Sequence, residues 1–507
     1  MAAVQKLQKY FMAPDPGRVR LRVSLRAVLG VAFAVALAEL LGLSLVASIT
    51  AGLAALLALF TVGDSTVRRQ AVTTALLPTV GFPVLALATL LHDVPLARDT
   101  AWLLVIFAGV YARRWGPRGH ALGIFAFMQF FVTQFLHALP AQLPELYAAT
   151  GVALGAAAIV RFALWPIERR VPPPTAPAPL PGAGLGRATT RQAVQVAVAS
   201  GAALVIGQFL SEERWYWAVG TVWWIFVNTA SRGETLVRGF RRVLGTVTGI
   251  AAGFLVAIPL GGAPVVTALL VAVCVFGIFY TAAVSYSWMI LAVTVMASLL
   301  YGLLGVLDGS LLLLRVAETG VGAACAGLAV TLVLPVRTHT TNDAWIQRAL
   351  LCVRSATSAS VRRLAGEEAA DPAPHAAELE ALLGRVRLSL APLVHPLTPF
   401  RGRKQRARRV LVLLDEAARE VRGLVAVAAD PDAGHDARLA AACWRVEAAV
   451  EALTSREGAV EPDGHARTES DAHAGAPALA HARGLARVLT ELDVPLRTPP
   501  GPWVVRS

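Results

Sequence analysis

Residues 215–249 read WYWAVGTVWWIFVNTASRGETLVRGFRRVLGTVTG. An aromatic, apolar segment from Trp215 to Ala230 ends in a short polar link that carries Arg232, Glu234, Arg238, Arg241 and Arg242. A second apolar segment then opens with Gly245, Thr246 and Gly249. Two apolar segments joined by arginines read as a membrane hairpin with a basic turn. Trp215, Tyr216 and Trp217 are expected at the headgroup level, where amphipathic rings collect. Gly245 and Gly249 form a small-xxx-small step that lets a second helix come close, so both are expected to serve helix packing.

The rest of the chain has the same character. It has 507 residues, 56% of them hydrophobic and 16% charged, and a mean hydropathy of +0.60. Apolar runs of that number and length make a polytopic α-helical membrane protein the expected class, with the lipid bilayer as its first partner. The formal charge of +13 would suit nucleic acid, but its distribution argues against it. Residues 341–507 hold 22 basic and 21 acidic side chains, whereas residues 1–340 hold 24 and 12. The excess therefore flanks apolar spans, as topology signals do, and no nucleic acid partner is expected. Basic residues are nearly all arginine, with lysine only at 6, 9 and 404, which reads as a GC-rich and hence bacterial source. The long charged lead of residues 1–23 does not read as a cleavable signal. Cys274, Cys325, Cys352 and Cys443 form no C-x-x-C pair, so neither metal nor disulfides are expected.

Residues 1–23 form a basic N-terminal segment. Apolar spans follow near 24–42, 44–62, 71–91, 100–112, 120–138 and 146–166, giving a first six-helix unit over 24–170. Residues 171–190 are a Pro/Ala/Gly linker. Six more spans near 192–210, 215–231, 243–260, 264–282, 286–306 and 311–335 give a second unit over 191–336, for about 12 transmembrane helices. Arginines gather in alternate loops, so both termini are expected in the cytoplasm, in the plasma (inner) membrane of a bacterium. Shifting the first unit by 169 positions superposes Arg22 on Arg191, Thr66 and Arg69 on Thr235 and Arg238, Tyr111 on Tyr280, and Pro166 on Pro335. Glu39 then falls on Gln208. Such matches predict an internal duplication about an axis along the membrane normal.

After Pro335 the apolar runs give way to amphipathic patterns near 343–365, 376–393, 404–428 and 435–456, a cytosolic helical domain over 341–456. Val410, Leu413, Leu414, Ala417 and Val421 form its clearest apolar stripe. Residues 457–507 are expected to be a flexible segment with one short helix near 476–492 and a Pro-rich tail.

Arg238, Arg241 and Arg242 are the best candidates for substrate contact, set against a plain role as topology signals. Arg241 and Arg242 immediately precede the expected helix, whose N-terminus would favour an anion. Asn228 and Thr229 would add neutral hydrogen bonds from the preceding span. Glu39, near one end of the first span, reads either as an interface residue or as a proton-coupling carboxylate. Gln208 shares its position in the second unit. Arg161 reads as a snorkelling residue or an anion contact. Arg315 and Glu318 are three residues apart and read as an ion pair on one helix face. His120, Gln129 and Gln134 would line a cavity or bond neighbouring helices. There is no G-x-x-x-x-G-K-[ST], H-E-x-x-H or G-x-S-x-G, so neither an enzyme nor a cofactor is expected.

The aromatic hairpin followed by Arg242, Leu244, Gly245, Thr246 and Gly249 resembles the R-x-L-G-T-x-x-G core of the FUSC family, the fusaric acid resistance and aromatic acid exporter type proteins. The resemblance is strongest from 190 to 335. It implies a transporter that exports small aromatic carboxylates, with Thr246 beside the arginines in the substrate region. The related plant malate channels imply a dimer-like pair of six-span units with a helical cytosolic tail, a surface for self-association or an accessory protein. The first unit departs from the motif: Thr73 stands opposite Arg242, and Leu76, Leu77 and Val80 stand opposite Gly245, Thr246 and Gly249. A major-facilitator-like carrier is the first rival, with GDSTVRR at 63–69 a poor match to that class's motif. The second is a non-transporting membrane anchor whose soluble domain binds a partner or senses a ligand.

Overall fold

The computed structural model describes residues 18–168, 183–260, 263–336, 338–394, 401–430, 437–454 and 477–497, among which there is no strand. The basic segment around Lys6 and Lys9, most of the Pro/Ala/Gly linker, the polar stretch before Pro477 and the tail after Arg497 lie outside the described residues. The chain divides into two compact units, the first ending at Val336.

The first unit is built from helices α1 (Val19–Leu40), α2 (Leu45–Thr61), α3 (Val67–Leu90), α4 (Pro95–Tyr111), α5 (Pro117–Phe135) and α6 (Leu143–Ala163). It continues with α7 (Ala188–Leu210), α8 (Tyr216–Phe226), α9 (Arg232–Leu260), α10 (Pro264–Ala282), α11 (Tyr286–Leu303) and α12 (Gly309–Leu332). Local chemistry fixes the starts. Ser44 caps α2 by accepting from the Ala47 N–H, and Asp308 caps α12 through the Gly309 and Ser310 N–H groups. Proline opens α4, α5 and α10, where its missing N–H costs nothing. By length and composition, eight helices can cross a membrane: α1, α3, α6, α7 and α9 to α12.

Much of the packing recurs, although α2 also packs on α5 and α8 on α9 without a counterpart in the other set. α1 packs on α2 and α6, α2 on α6, α3 on α5 and α6, and α4 on α5. Correspondingly, α7 packs on α8 and α12, α8 on α12, α9 on α11 and α12, and α10 on α11. The two sets meet where α4 packs on α7 and α10 on α1. α2, α5 and α8 lie innermost, so their side chains are buried on most sides and need not present a lipid-facing stripe.

Three sequence expectations are corrected here. Helix α9 begins at Arg232, not near 243, so the basic turn is itself the first turns of a 29-residue helix. Ser231 caps it, and Glu234 reaches back to the Ala230 N–H, a reciprocal capping arrangement. The preceding helix α8 is only 11 residues, because Asn228 adopts φ 62° and ends it. Trp215, Tyr216 and Trp217 do not sit in an interfacial belt. They are 3%, 1% and 6% exposed, packed against Trp102, Phe131 and Phe135 from α4 and α5. The rings serve as core because α8 is enclosed by α5, α7, α9 and α12.

The second unit comprises α13 (Thr338–Leu364), α14 (Ala373–Val394), α15 (Arg401–Ala428), α16 (Ala437–Thr454) and α17 (Pro477–Arg497). The stripe from Val410 to Val421 on α15 is buried. α17 is not a short helix in a flexible extension. It packs on α15 and α16 and buries Leu485, Val488, Leu489 and Leu492. Cys352 and Cys443 are buried here, and burial pushes both thiols up to about 11, which makes them packing groups rather than reactive ones.

Candidate functional site

A cavity of about 100 Å³ lies in the first unit. Its walls are Leu53, Leu57 and Phe60 of α2, Met128, Phe131 and Phe135 of α5, Trp217 and Trp224 of α8, and Met289, Val293 and Leu300 of α11. The wall on α11 extends from Met289 to Leu300, about 16 Å at 1.5 Å per residue. Phe60 sets its ring edge-on to Trp224 at 6.4 Å between centroids, and Phe131 does the same to Trp217 at 4.9 Å. Arg242 is the one charged residue among the described lining.

Arg242 is there because of the glycines that follow it. A Cβ on Gly245 would stand 2.6 Å from the Ser287 carbonyl oxygen, and one on Gly249 would stand 2.7 Å from Cβ of Thr294. Gly253 continues the series, its added Cβ lying 2.6 Å from Oγ of Ser298. α9 and α11 therefore touch backbone to backbone, and Arg242, just before the glycine row, is carried into the interior. It is 4% exposed, and its Nε has no partner among the described residues. A buried guanidinium without counter-charge is costly, and an anion entering the cavity would offset that cost.

The other sequence candidates divide. Arg238 donates from Nε to the Trp224 carbonyl at 3.1 Å and lies over the Tyr286 ring, 4.0 Å from its centroid. Arg241 is half-buried on the neighbouring face of α9 and is not part of the lining. The expected helix N-terminus beside these arginines is not there. Arg242 lies ten residues past Arg232, about 15 Å along the axis, so the helix dipole does not reach it. Thr246 is buried one turn after Arg242. Asn228 is exposed in the link, whereas Thr229 is buried and bonds Thr235.

Arg161 neither snorkels nor faces the cavity. It is 2% exposed and donates to the carbonyls of Val62, Ala58 and Leu59 at 2.9, 3.0 and 3.2 Å. These carbonyls end α2, so the guanidinium acts as a C-terminal cap. Glu39 is exposed at the end of α1. Gln208 donates to Asp99 at 2.8 Å, tying α7 to α4 away from the cavity. Gln129 and Gln134 are buried on α5, but neither they nor His120 are among the lining residues.

Arg315 and Glu318 are not an ion pair. The Arg315 guanidinium lies over the Trp217 ring, 3.4 Å from its centroid. Glu318 is 0% exposed, and both its carboxyl oxygens lack a partner among the described residues. Spacing of three on a helix permits a pair but does not require one when an aromatic face competes for the guanidinium. Trp217 in turn donates from Nε1 to the Tyr301 hydroxyl at 2.6 Å, and that hydroxyl lies 3.3 Å from the Tyr216 hydroxyl. The cavity wall at Trp217 is thus backed by Arg315. The intramembrane Glu318 was visible in the sequence; the ring that takes its expected partner was not.

No curated protein and no solved structure matches the chain. Residues 202–329 match the family model described as fusaric acid resistance protein-like. That region contains Trp217, Arg242, the glycine row, Arg315 and Glu318. With its long apolar helices the chain is a multi-pass membrane protein, and its residues 202–329 are similar to the FUSC (fusaric acid resistance protein-like) family.

Proposed function

We propose that this protein is a carrier of small organic anions, aromatic monocarboxylates foremost, and that its physiological direction is efflux across a bacterial plasma membrane. The single observation behind this is the cavity, whose aromatic and aliphatic wall is interrupted by one buried guanidinium, that of Arg242. A benzoate-like ligand is complementary to both parts: its ring suits the walls, and its carboxylate offsets the arginine charge. As it stands the cavity is smaller than the roughly 150 Å³ apolar hole that accepts benzene. Met128, Met289 and Met296 in its wall are flexible enough to let it widen. The family match supports membrane transport as the general activity.

The recurring packing scheme and the matches at an offset of 169 support two six-helix repeats and 12 spans, with α2, α4, α5 and α8 crossing inside the bundle. The arginine-rich loops support an arrangement with both termini in the cytoplasm. On that arrangement the helical second unit is cytosolic, a surface for self-association or for an accessory protein.

Reconstitution in liposomes with labelled benzoate tests the assignment. Wild-type protein should take up or exchange benzoate. Arg242→Gln should lose about tenfold or more in affinity, as expected for removing charge-assisted bonds of roughly 1.5–3 kcal/mol. Arg242→Lys should recover only part, lacking the planar fork. Wild-type transport in a correctly inserted Arg242→Gln protein would reject Arg242 as the anion site.

A further inference from the structure

We propose that the open groove between α4 and α7 holds the headgroup of a zwitterionic phospholipid that ends in a primary ammonium, of the phosphatidylethanolamine class. The groove has a volume of about 460 Å³. Its lining includes Arg98 of α4, Val205, Gln208 and Phe209 of α7, and Glu212 and Trp215 from the link that follows α7. It sits at the first turn of α4 and the last turn of α7. α7 is long and apolar enough to cross a membrane, and the end of such a helix lies where hydrocarbon gives way to headgroups. From there Phe209, Val205 and Val198 follow one another along one face of α7, 89%, 53% and 48% exposed. An acyl chain would cover that face.

The polar groups of the groove match both charges of such a headgroup. Arg98 donates from Nε to one oxygen of Asp99 at 3.0 Å, and the other Asp99 oxygen accepts from Gln208 at 2.8 Å. Neither Nη group of Arg98 makes a hydrogen bond among the described residues. That end of the planar fork is left for a phosphate. Glu212 is exposed and has no hydrogen bond or ion pair among the described residues. Its carboxylate would accept from the ethanolamine ammonium. A choline headgroup has no N–H to donate, and the Trp215 ring that would attract it is already covered by the Arg98 guanidinium, 4.9 Å from the centroid. A phosphatidylglycerol headgroup brings a further negative charge beside Asp99 and Glu212 with no ammonium to answer it. Packing does not call for these charges. Where α10 packs on α1, a shift of 169 positions puts Thr267, Ala268 and Leu43 in place of Arg98, Asp99 and Glu212. That junction closes without any of the three.

The test titrates full-length protein in detergent with phosphatidylethanolamine, phosphatidylcholine and phosphatidylglycerol of the same acyl chains, and counts bound lipid by native mass spectrometry. Wild-type protein should hold phosphatidylethanolamine about tenfold more tightly than either of the others, since only it makes charge-assisted hydrogen bonds to Glu212. Glu212→Gln should remove that preference. Glu213→Gln, at an exposed neighbour outside the groove lining, should keep it. Val205→Trp should fill the groove and weaken all three lipids. Soluble glycerophosphoethanolamine at equal concentration should not displace the bound lipid, because it has no chains to cover Val205 and Phe209. Equal affinity of wild-type protein for the three lipids, or an intact preference in Glu212→Gln, overturns the headgroup assignment. Undiminished binding in Val205→Trp overturns the groove as the site, and it decides should Glu212→Gln not fold. Displacement by glycerophosphoethanolamine overturns the lipid as ligand in favour of the free headgroup.

Discussion

Helices α1 to α6 and α7 to α12 share most of their packing pairs but are charged differently. Counting 169 positions back from Arg242, Arg315 and Glu318 leads to Thr73, Leu146 and Ala149. All three are buried, at 0%, 2% and 0% exposure, in the same helix pairings. The first half therefore shows that this packing closes without any of the three charges. Charges that a fold does not require, kept where burial makes them expensive, point to work done in the second half. Arg161 teaches the converse. Its counterpart is Val330, and it serves structure only, holding the last carbonyls of α2. The matching end of α8 is held differently: Arg113 bonds the Phe226 carbonyl, while Arg238 and Tyr286 share that of Trp224.

The largest effect is expected where the halves differ in backbone approach. Gly245→Val with Gly249→Val drives side chains into Ser287, Ile290 and Thr294. Overpacking of this kind should cost roughly 2–6 kcal/mol for the pair. Folded protein recovered from membranes should collapse accordingly. At the first-half counterpart, Val80→Leu should cost under about 0.5 kcal/mol, because Val80 is half-buried and α3 already carries side chains there. Equal loss from both would remove the distinction between the halves.

Replacing the second half's charges by the first half's residues sharpens the comparison. Arg315→Leu with Glu318→Ala should insert and fold. It should be as stable as wild type or up to about 1–4 kcal/mol more so, as when buried ionic groups give way to packed apolar ones. A thermal melt in detergent reads the effect. Strong destabilisation would mean that the charges hold the helices together after all.

Much of this was legible beforehand, and the failures have causes. Helix identity followed from apolar run length, whereas the exact starts are set by caps such as Ser44 and Asp308, which hydropathy does not register. The basic turn was misjudged because hydropathy registers where apolar residues start, whereas helix α9 starts at its cap, three turns earlier. Arg242 was legible as a candidate, but the reason was not: its place in the cavity is set by α11 through Gly245, Gly249 and Gly253. Trp217 and its neighbours were misplaced because interfacial and interior aromatics have the same composition. Which ring Arg315 would cover, and hence that Glu318 stands alone, depends on α8 meeting α12, a contact no local pattern encodes.

Next in size is Arg161→Leu. It strips three carbonyls at the end of α2 of their donor. The loss should be about 1.5–3 kcal/mol, as for hydrogen bonds to a charged group. Benzoate affinity in the protein that remains folded should be unchanged, since Arg161 is not in the cavity wall. A tenfold loss of affinity at unchanged stability would instead make Arg161 an anion contact and erase the contrast with Arg242.

The smallest effect is expected at Asn228. Its first-half counterpart, Leu59, is still helical, since α2 continues to Thr61 while α8 stops at Phe226. Asn228 makes that difference by adopting φ 62°, a left-handed conformation that asparagine tolerates better than most residues but glycine adopts freely. Asn228→Gly should therefore keep α8 at its present length and change stability by only a few tenths of a kcal/mol, relief at the turn being set against extra freedom in the unfolded chain. Asn228→Ala should be worse, by about 1 kcal/mol, because alanine has the Cβ penalty without the local hydrogen bonding. The side chain is exposed and lies outside the cavity wall, so benzoate transport by the glycine variant should equal that of wild type. A glycine variant that melts like wild type yet transports at a tenth of its rate would place the amide in the substrate path and return Asn228 to the binding site.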